Sequence, residues 1–441
     1  MDWKERVIQT NCGSIKGLQA EGQEKYLGIR YATAGRWEYP IEVTQWDGVY
    51  DATCFKDACM QMRALREEDK NAFYYKEFRQ GETYHYSEDC FYLNIWKPAD
   101  CVKAPVIFYI HGGAFQGGCG NEKHFDGKKY AERGIIFVTC NYRLGPFGFC
   151  SLPELAARDG YTGNYGLFDQ LTAFEWVRHN IESFGGDPSN ITLMGQSAGA
   201  MSIQQLCVSP LAKDHIARAI MTSGGGISDA FGTYIPAEQA YPFWKDVTAK
   251  LGGSLEDWVK ADAKVLLATM LETAKQYENA IEYFSPVLDG RLICCDAQSV
   301  LRDKRQAKIP YIMGSTKDDM ETDILAKMAR EWTVLQSQQG MSPSYCFWFG
   351  RNLPGDDQGA WHSSELWYTI GMLENSWRPM TEWDYEISNR FLSYFANFAA
   401  TGDPNGGTLP VWQPTTSLDG PIMVIDDHRF EMGAQPLNPI S

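Results

Sequence analysis

The pentapeptide Gly195-Gln196-Ser197-Ala198-Gly199 follows the apolar run Ile191-Thr192-Leu193-Met194 and opens the helix-like stretch from Ala200 to Cys207. A buried strand that must reverse at once into a helix has no room for Cβ atoms beside the turn. Glycine therefore stands on both sides, and the central serine is held in a strained conformation with Oγ exposed. Ser197 is the candidate nucleophile. The alternative for a lone pentapeptide is a Gly-rich turn with a solvated serine; the motifs elsewhere in the chain weigh against it.

Acyl transfer through a serine needs donors aimed at the oxygen that gains charge. Upstream, the strand-like run Pro105-Val106-Ile107-Phe108-Tyr109-Ile110 leads straight into His111-Gly112-Gly113-Ala114-Phe115-Gln116-Gly117-Gly118. Small residues at 112 to 114 let backbone N–H groups approach a reacting carbonyl, which makes Gly113 and Ala114 candidate oxyanion donors. The N–H of Ala198, just after the nucleophile, is the third. A Gly-Gly turn after a strand can also cradle a phosphate, but neither a following Lys-Ser/Thr nor a Gly-x-Gly-x-x-Gly spacing is present.

Further segments appear in a telling order. They are Glu88-Asp89-Cys90-Phe91-Tyr92-Leu93-Asn94-Ile95, Asn141-Tyr142-Arg143-Leu144-Gly145, Gly163-Asn164-Tyr165-Gly166-Leu167, Phe184-Gly185-Gly186-Asp187-Pro188 and Ala399-Ala400-Thr401-Gly402-Asp403-Pro404. Together with the two turns, they resemble the type-B carboxylesterases, the cholinesterase-like branch of the α/β-hydrolases. Phe91 stands where that family usually has Leu. The resemblance covers most of the length and implies an α/β-hydrolase fold: a central, mostly parallel sheet flanked by helices, here with a shortened cap region.

A proton acceptor near neutral pH points to histidine, and the chain has seven. His111 belongs to the Gly-rich turn, while His85, His124, His179, His215 and His428 lie in polar or helix-surface surroundings where a solvated role is the default. His362, in Gly359-Ala360-Trp361-His362-Ser363-Ser364-Glu365, resembles the family's catalytic histidine loop and follows the nucleophile in the chain, as that fold requires. By the same resemblance the acid falls in Gly314-Ser315-Thr316-Lys317-Asp318-Asp319-Met320-Glu321, at Asp319 where the family usually carries Glu. Asp318 and Glu321 are the alternatives.

The resemblance also implies a supporting pair, Ser223 with Glu365, propping up the His362 loop. It implies core ion pairs of Asp169 with Arg143 and of Glu88 with Arg36. Phe115 and Trp361 lie near the motifs and are read either as pocket lining or as simple core. Only 43 positions separate Asp319 from His362, where the family inserts a longer helical segment. The wall above Trp361 is therefore expected to be low and open to solvent.

Length alone, 441 residues, would suggest two or three domains. The turns, acid and histidine must converge from 111 to 362, so a single catalytic domain over 1–441 is expected instead. Apolar strands alternate with helical stretches (106–110, 135–140, helix 167–183, 191–194, 219–222), the pattern of a sheet covered on both faces.

A formal charge of −16 and a pI near 5.0 argue against nucleic acid or an anionic membrane as partner. No basic apolar leader opens the sequence and no stretch reaches a membrane span, which gives the expectation of a cytoplasmic protein. Twelve cysteines in that setting are read as thiols. The family resemblance allows a Cys59–Cys90 bridge, expected to be mostly reduced in a cytosol. The cysteine spacings lack the repetition of a zinc site, so no metal is implied.

These readings converge on a serine carboxylic-ester hydrolase working through an acyl-enzyme on short-chain or aromatic soluble esters, with no cofactor. The alternatives are an amidase or peptidase on the same fold, and a non-catalytic cholinesterase-like binding protein.

Overall fold

The computed structural model describes residues 2–227, 234–320 and 322–436. A thirteen-stranded sheet runs through them. Strand Ala104–Ile110 lies parallel to Ile136–Cys140 on one side and to Gly186–Gln196 on the other. The parallel run continues through Arg218–Thr222, Tyr311–Thr316, Ser344–Phe349 and Ile422–Ile425. Antiparallel strands extend the sheet at both ends, Tyr92–Pro98, Gln23–Arg30, Gly13–Ala20 and Lys4–Thr10 on one side and Phe430–Gly433 on the other.

The central strands are near-continuous apolar runs because both of their faces are covered. Side chains alternate between those faces. Val106, Phe108 and Ile110 enter one core with Phe174, Trp176 and Leu193, while Ile107 and Tyr109 enter the other with Phe347, Phe391 and Phe395. Helices Tyr165–Asn180 and Ala198–Val208 contribute to the first layer and Glu382–Thr401 to the second. The last of these starts at a capping box of Thr381 with Asp384 and stops at Gly402, whose φ of 84° suits glycine. The expected helix 167–183 is thus a helix to Asn180 followed by a 3-10 turn, Ile181–Phe184.

Both expected ion pairs are formed. The Arg143 guanidinium grips Asp169 at 2.7 and 2.8 Å in the core, and Asp169 also accepts the Arg143 backbone N–H. Arg36 holds Glu88 at 2.5 and 2.8 Å. Cys59 and Cys90 are joined in a disulfide, contrary to the expectation that they are mostly reduced. Their Cα atoms stand 4.9 Å apart, within the span a bridge requires. Among the described residues no helix is long and apolar enough to cross a membrane.

Candidate active site

Three side chains from three loops at the ends of the parallel strands form one hydrogen-bonded chain. Ser197 Oγ lies 3.0 Å from His362 Nε2, and His362 Nδ1 lies 2.5 Å from Asp319 Oδ1. With Nδ1–H donating to the carboxylate, Nε2 is left as the acceptor facing the serine. The Gln196 amide nitrogen, 3.2 Å from the same Nε2, also presents a donor to it. Asp319 is fully engaged: Oδ1 also accepts the Met320 N–H, and Oδ2 accepts the Ser223 hydroxyl at 2.7 Å and the Thr316 N–H at 3.1 Å.

Of the alternative acids, Asp318 faces elsewhere. Its carboxylate accepts the Ala360 N–H at 2.8 Å, and its backbone bridges Trp361, which pins the loop carrying the histidine. Glu321 lies outside the described residues.

Ser197 sits at φ 56°, ψ −128°, a strained conformation for a residue with a side chain. Its N–H donates to Thr222 O on the neighbouring strand, and Gly199 passes so close to Ile110 O that a Cβ there would come within 2.1 Å. The Gly-rich turn is equally tight. Gly113 has φ 110°, and a Cβ on it would lie 2.1 Å from Gly117 O, whose own N–H donates back to Gly113 O. Gly112 packs directly on Gln196 and Ser197, and Gly113 and Ala114 line the same cavity as Ser197. Ala198 opens its helix, where the first N–H groups have no intrahelical acceptor.

The expected Ser223–Glu365 pair is not formed. Ser223 N–H donates to Gly314 O, which sets the residue over the 314–319 loop, and its hydroxyl goes to Asp319 instead. Glu365 is enclosed in the core. Thr222 lies beside it, but neither carboxyl oxygen attains hydrogen-bond geometry among the described residues.

A cavity of about 370 Å3 opens onto Ser197 and His362. Neither Phe115 nor Trp361 borders it. The Phe115 ring packs edge-on against Phe149 in the core, and Trp361 is screened by Phe73, Tyr74 and Phe78 at centroid distances of 4.9, 5.7 and 5.6 Å. The cavity is lined instead by Tyr74, Phe78, Phe125 and Leu366.

The wall above Trp361 is therefore not low. The segment around Tyr75–Arg79 supplies it, anchored by the buried Arg378, which holds both Glu77 and Asp356. The shortened stretch after Asp319 leaves its mark elsewhere: Met320, 75% exposed, stands at the mouth of the cavity. His124, expected to be solvated, is buried between Phe78 and Phe125 with ring centroids at 4.1 and 3.8 Å.

A family model described as "Carboxylesterase family" matches residues 4–339 and 318–438. The para-nitrobenzyl esterase of Bacillus subtilis is 37% identical over 496 aligned positions, covering 97% of each chain. Bile salt-activated lipase of Mus musculus is 31% identical over 94% of this chain and 82% of its own. A solved PNB esterase structure superposes with a TM-score of 0.83 at 27% identity, over 98% of this chain and 97% of that one. The chain belongs to the carboxylesterase family. It is a carboxylic-ester hydrolase of the α/β-hydrolase fold. The two matched pieces of the family model overlap at 318–339, where the stretch between acid and histidine is short.

Sequence reasoning missed two residues of this carboxylesterase site. Gln61 is buried and clamps the far end of the Gly-rich turn with both ends of its amide: Nε2 donates to Gly118 O at 3.0 Å and Oε1 accepts Gly118 N–H at 3.1 Å. Tyr74 donates its hydroxyl to His362 O at 3.0 Å. Neither belongs to a motif, because each acts on backbone far away in sequence. Gln61→Ala is expected to lower kcat about tenfold with a smaller change in KM, since a donor turn that drifts loses part of the stabilisation it gives the oxyanion. Unchanged kcat with a lower Tm would make the clamp purely structural.

Burial alone would lower the His362 pKa, but the Asp319 carboxylate outweighs it and holds the imidazole above its ordinary 6.5. Burial would raise Asp319; the bonds from His362, Ser223 and Thr316 keep it below the usual carboxylate range. Burial and the nearby Asp319 push Glu365 up to about 7.

As a general base His362 must be neutral, so with His362 in that role kcat/KM is expected to fall as pH drops through a midpoint above 6.5. Because the Glu365 charge also favours the imidazolium, Glu365→Gln is expected to move that midpoint to lower pH. A kcat/KM profile from about pH 5 to 9 checks both shifts; a wild-type midpoint below 6.5 counts against the first.

Proposed function

We propose that the protein cleaves carboxylic esters by two acyl transfers at Ser197. Oγ attacks the ester carbonyl while His362 Nε2 takes its proton, and the N–H groups of Gly113, Ala114 and Ala198 receive the negative oxygen. Collapse breaks the bond to the alcohol oxygen, which leaves with the proton from the imidazolium. Water then attacks the acyl carbonyl, His362 takes its proton and returns it to Ser197 Oγ, and the acid departs. Asp319 holds the tautomer and stabilises the imidazolium without accepting its proton. One observation carries this reading: the unbroken chain from Asp319 through His362 to Ser197, at 2.5 and 3.0 Å, ends beside the Gly-rich turn.

We extend to this chain the aromatic ester named in its Bacillus subtilis relative, and propose soluble aromatic or short-chain esters as substrates. A cavity of about 370 Å3 encloses a ring but gives a long acyl tail little apolar wall to grip at ~25 cal/mol per Å2. Short acyl esters are expected to outpace those beyond about ten carbons, with no jump in rate as a triglyceride passes its solubility limit. A jump on emulsion formation, or a long-chain optimum, would reject this. Rates on a matched ester and amide separate this reading from an amidase.

The converging residues belong to loops of one sheet, which supports residues 1–441 as one catalytic domain. Ten unpaired cysteines support a reducing, cytoplasmic setting, and the Cys59–Cys90 bridge is the feature to check there by thiol counting.

A further inference from the structure

The cavity beside Ser197 has two unlike ends. Tyr74, Phe78, Phe125 and Leu366 make one side apolar, but Arg63, Arg79 and Glu122 border it as well, and no step of the hydrolysis uses them. Arg63 Nη1 donates to Glu122 Oε1 at 2.9 Å, and Arg79 Nε donates to Glu68 Oε1 at 2.7 Å, with Arg63 Nε 3.7 Å from the same carboxylate. Two cations and two anions leave this end without net charge. It also lies close to the chemistry, because Arg63 Nη2 is 3.5 Å from where a Cβ on Gly117 would sit, at the end of the Gly-rich turn.

Hydrogen-bonding capacity is left over. Arg63 Nη2 and Glu122 Oε2 have no hydrogen-bond partner among the described residues, and His124 Nε2 stands 3.9 Å from the latter, beyond hydrogen-bond reach. His111, which also lines the cavity, points Nδ1 at Gly112 O at 2.8 Å, and its buried Nε2 is without a partner. In the free enzyme Arg63 Nη2 and Glu122 Oε2 are within reach of water, whereas His111 Nε2 is enclosed. A wholly apolar substrate would strip that water and leave donors and acceptors unpaired, which costs affinity. A carboxylate would meet Glu122 and find both arginines already paired, with Glu122 and Glu68; an ammonium would meet the two arginines; and either must first be desolvated. An uncharged group that both donates and accepts meets neither penalty.

Resting on the esterase reading above, we infer that the Arg63–Glu122 end of the cavity is a subsite for a hydroxyl-bearing arm of an otherwise aromatic ester. The arm can belong to the acyl or to the alcohol part. Pairs differing only by CH2OH against CH2CH3 distinguish the two: ethyl 4-(hydroxymethyl)benzoate with ethyl 4-ethylbenzoate, and 4-(hydroxymethyl)benzyl acetate with 4-ethylbenzyl acetate.

In one of these pairs kcat/KM is expected to favour the hydroxyl by about tenfold or more. The corresponding carboxylate and aminomethyl esters are expected to fall below the hydroxyl ester. Arg63→Met with Glu122→Gln is expected to remove the preference. The readout is a ratio within one enzyme preparation, so a partly folded variant still reports it. Should the double variant not fold, Arg63→Gln is expected to reduce the ratio at least about twofold.

Equal rates in both pairs, a preferred charged arm, or a preference that survives these substitutions would overturn the subsite. Hydrolysis of the ethyl-substituted esters would meanwhile leave the esterase reading standing. Failure to cleave any of the four esters would overturn the subsite together with the aromatic-ester reading it rests on.

Discussion

Ser197→Ala is expected to lower kcat by about a million-fold. The alanine removes the only atom that forms the acyl bond, while His362, Asp319 and the backbone donors stay in place. What remains is the slow attack of water assisted by oxyanion binding. The fold should survive, because Ser197 Oγ bonds to His362 and its backbone N–H, which holds the turn to Thr222, is unaffected. Removing Cβ-attached bulk at a φ of 56° adds no new strain. Intact mass after treatment with an organophosphate checks the assignment: the wild type should gain one adduct, on Ser197, and the variant none. An adduct on another residue would move the nucleophile.

Asp319→Asn is expected to lower kcat by about ten-thousand-fold. Among the described residues Oδ1 accepts from His362 and Met320, and Oδ2 from Ser223 and Thr316. An amide has one acceptor and one donor end, so either orientation sets N–H against N–H or O–H. The Ser223 hydroxyl and Thr316 N–H together draw the amide oxygen, which turns the NH2 toward His362 Nδ1. The imidazole then carries its proton on Nε2, facing Ser197, and cannot accept from it.

Asp318→Asn is the control. Its carboxylate accepts Ala360 N–H, which an amide oxygen does equally well, and its ion pair with Lys317 at 3.7 Å is solvent-exposed and weak, so a loss of no more than a few-fold is expected. Steady-state kcat of the two variants on one ester decides between them; a larger loss at 318 would reassign the acid.

Local constraints were what the sequence could express. Gly195 and Gly199 around Ser197, and Gly112 and Gly113 before Ala114, are dictated by backbone contacts within a few residues or to the adjoining strand, so the residue types themselves report the turns. The unalternating runs at 106–110 and 191–194 likewise report strands covered on both faces, because each position loses water whichever way it points. The turn at Ser197, the Gly-rich turn and the mostly parallel sheet were legible for these reasons, while His362 was legible only through the resemblance of its loop to the family's.

Contacts between distant segments left no such mark. Ser223 and Glu365 read as a pair, yet a hydroxyl bonds whichever carboxylate the neighbouring loop brings within about 3 Å, and that is Asp319. Gln61 reads as an ordinary polar residue until its amide is seen against Gly118. The missing stretch after Asp319 was visible as a short count of residues, but not that Phe73, Tyr74 and Phe78 would cover Trp361 in its stead.

The sequence by itself thus determined the fold and the chemistry, because backbone strain and two-sided burial act on each residue locally. The tertiary structure alone decided which carboxylate Ser223 serves, what walls the cavity and what lines its charged end. Those depend on where residues far apart in the chain come to rest in space, and side-chain hydrogen bonds and packing act only over a few ångströms.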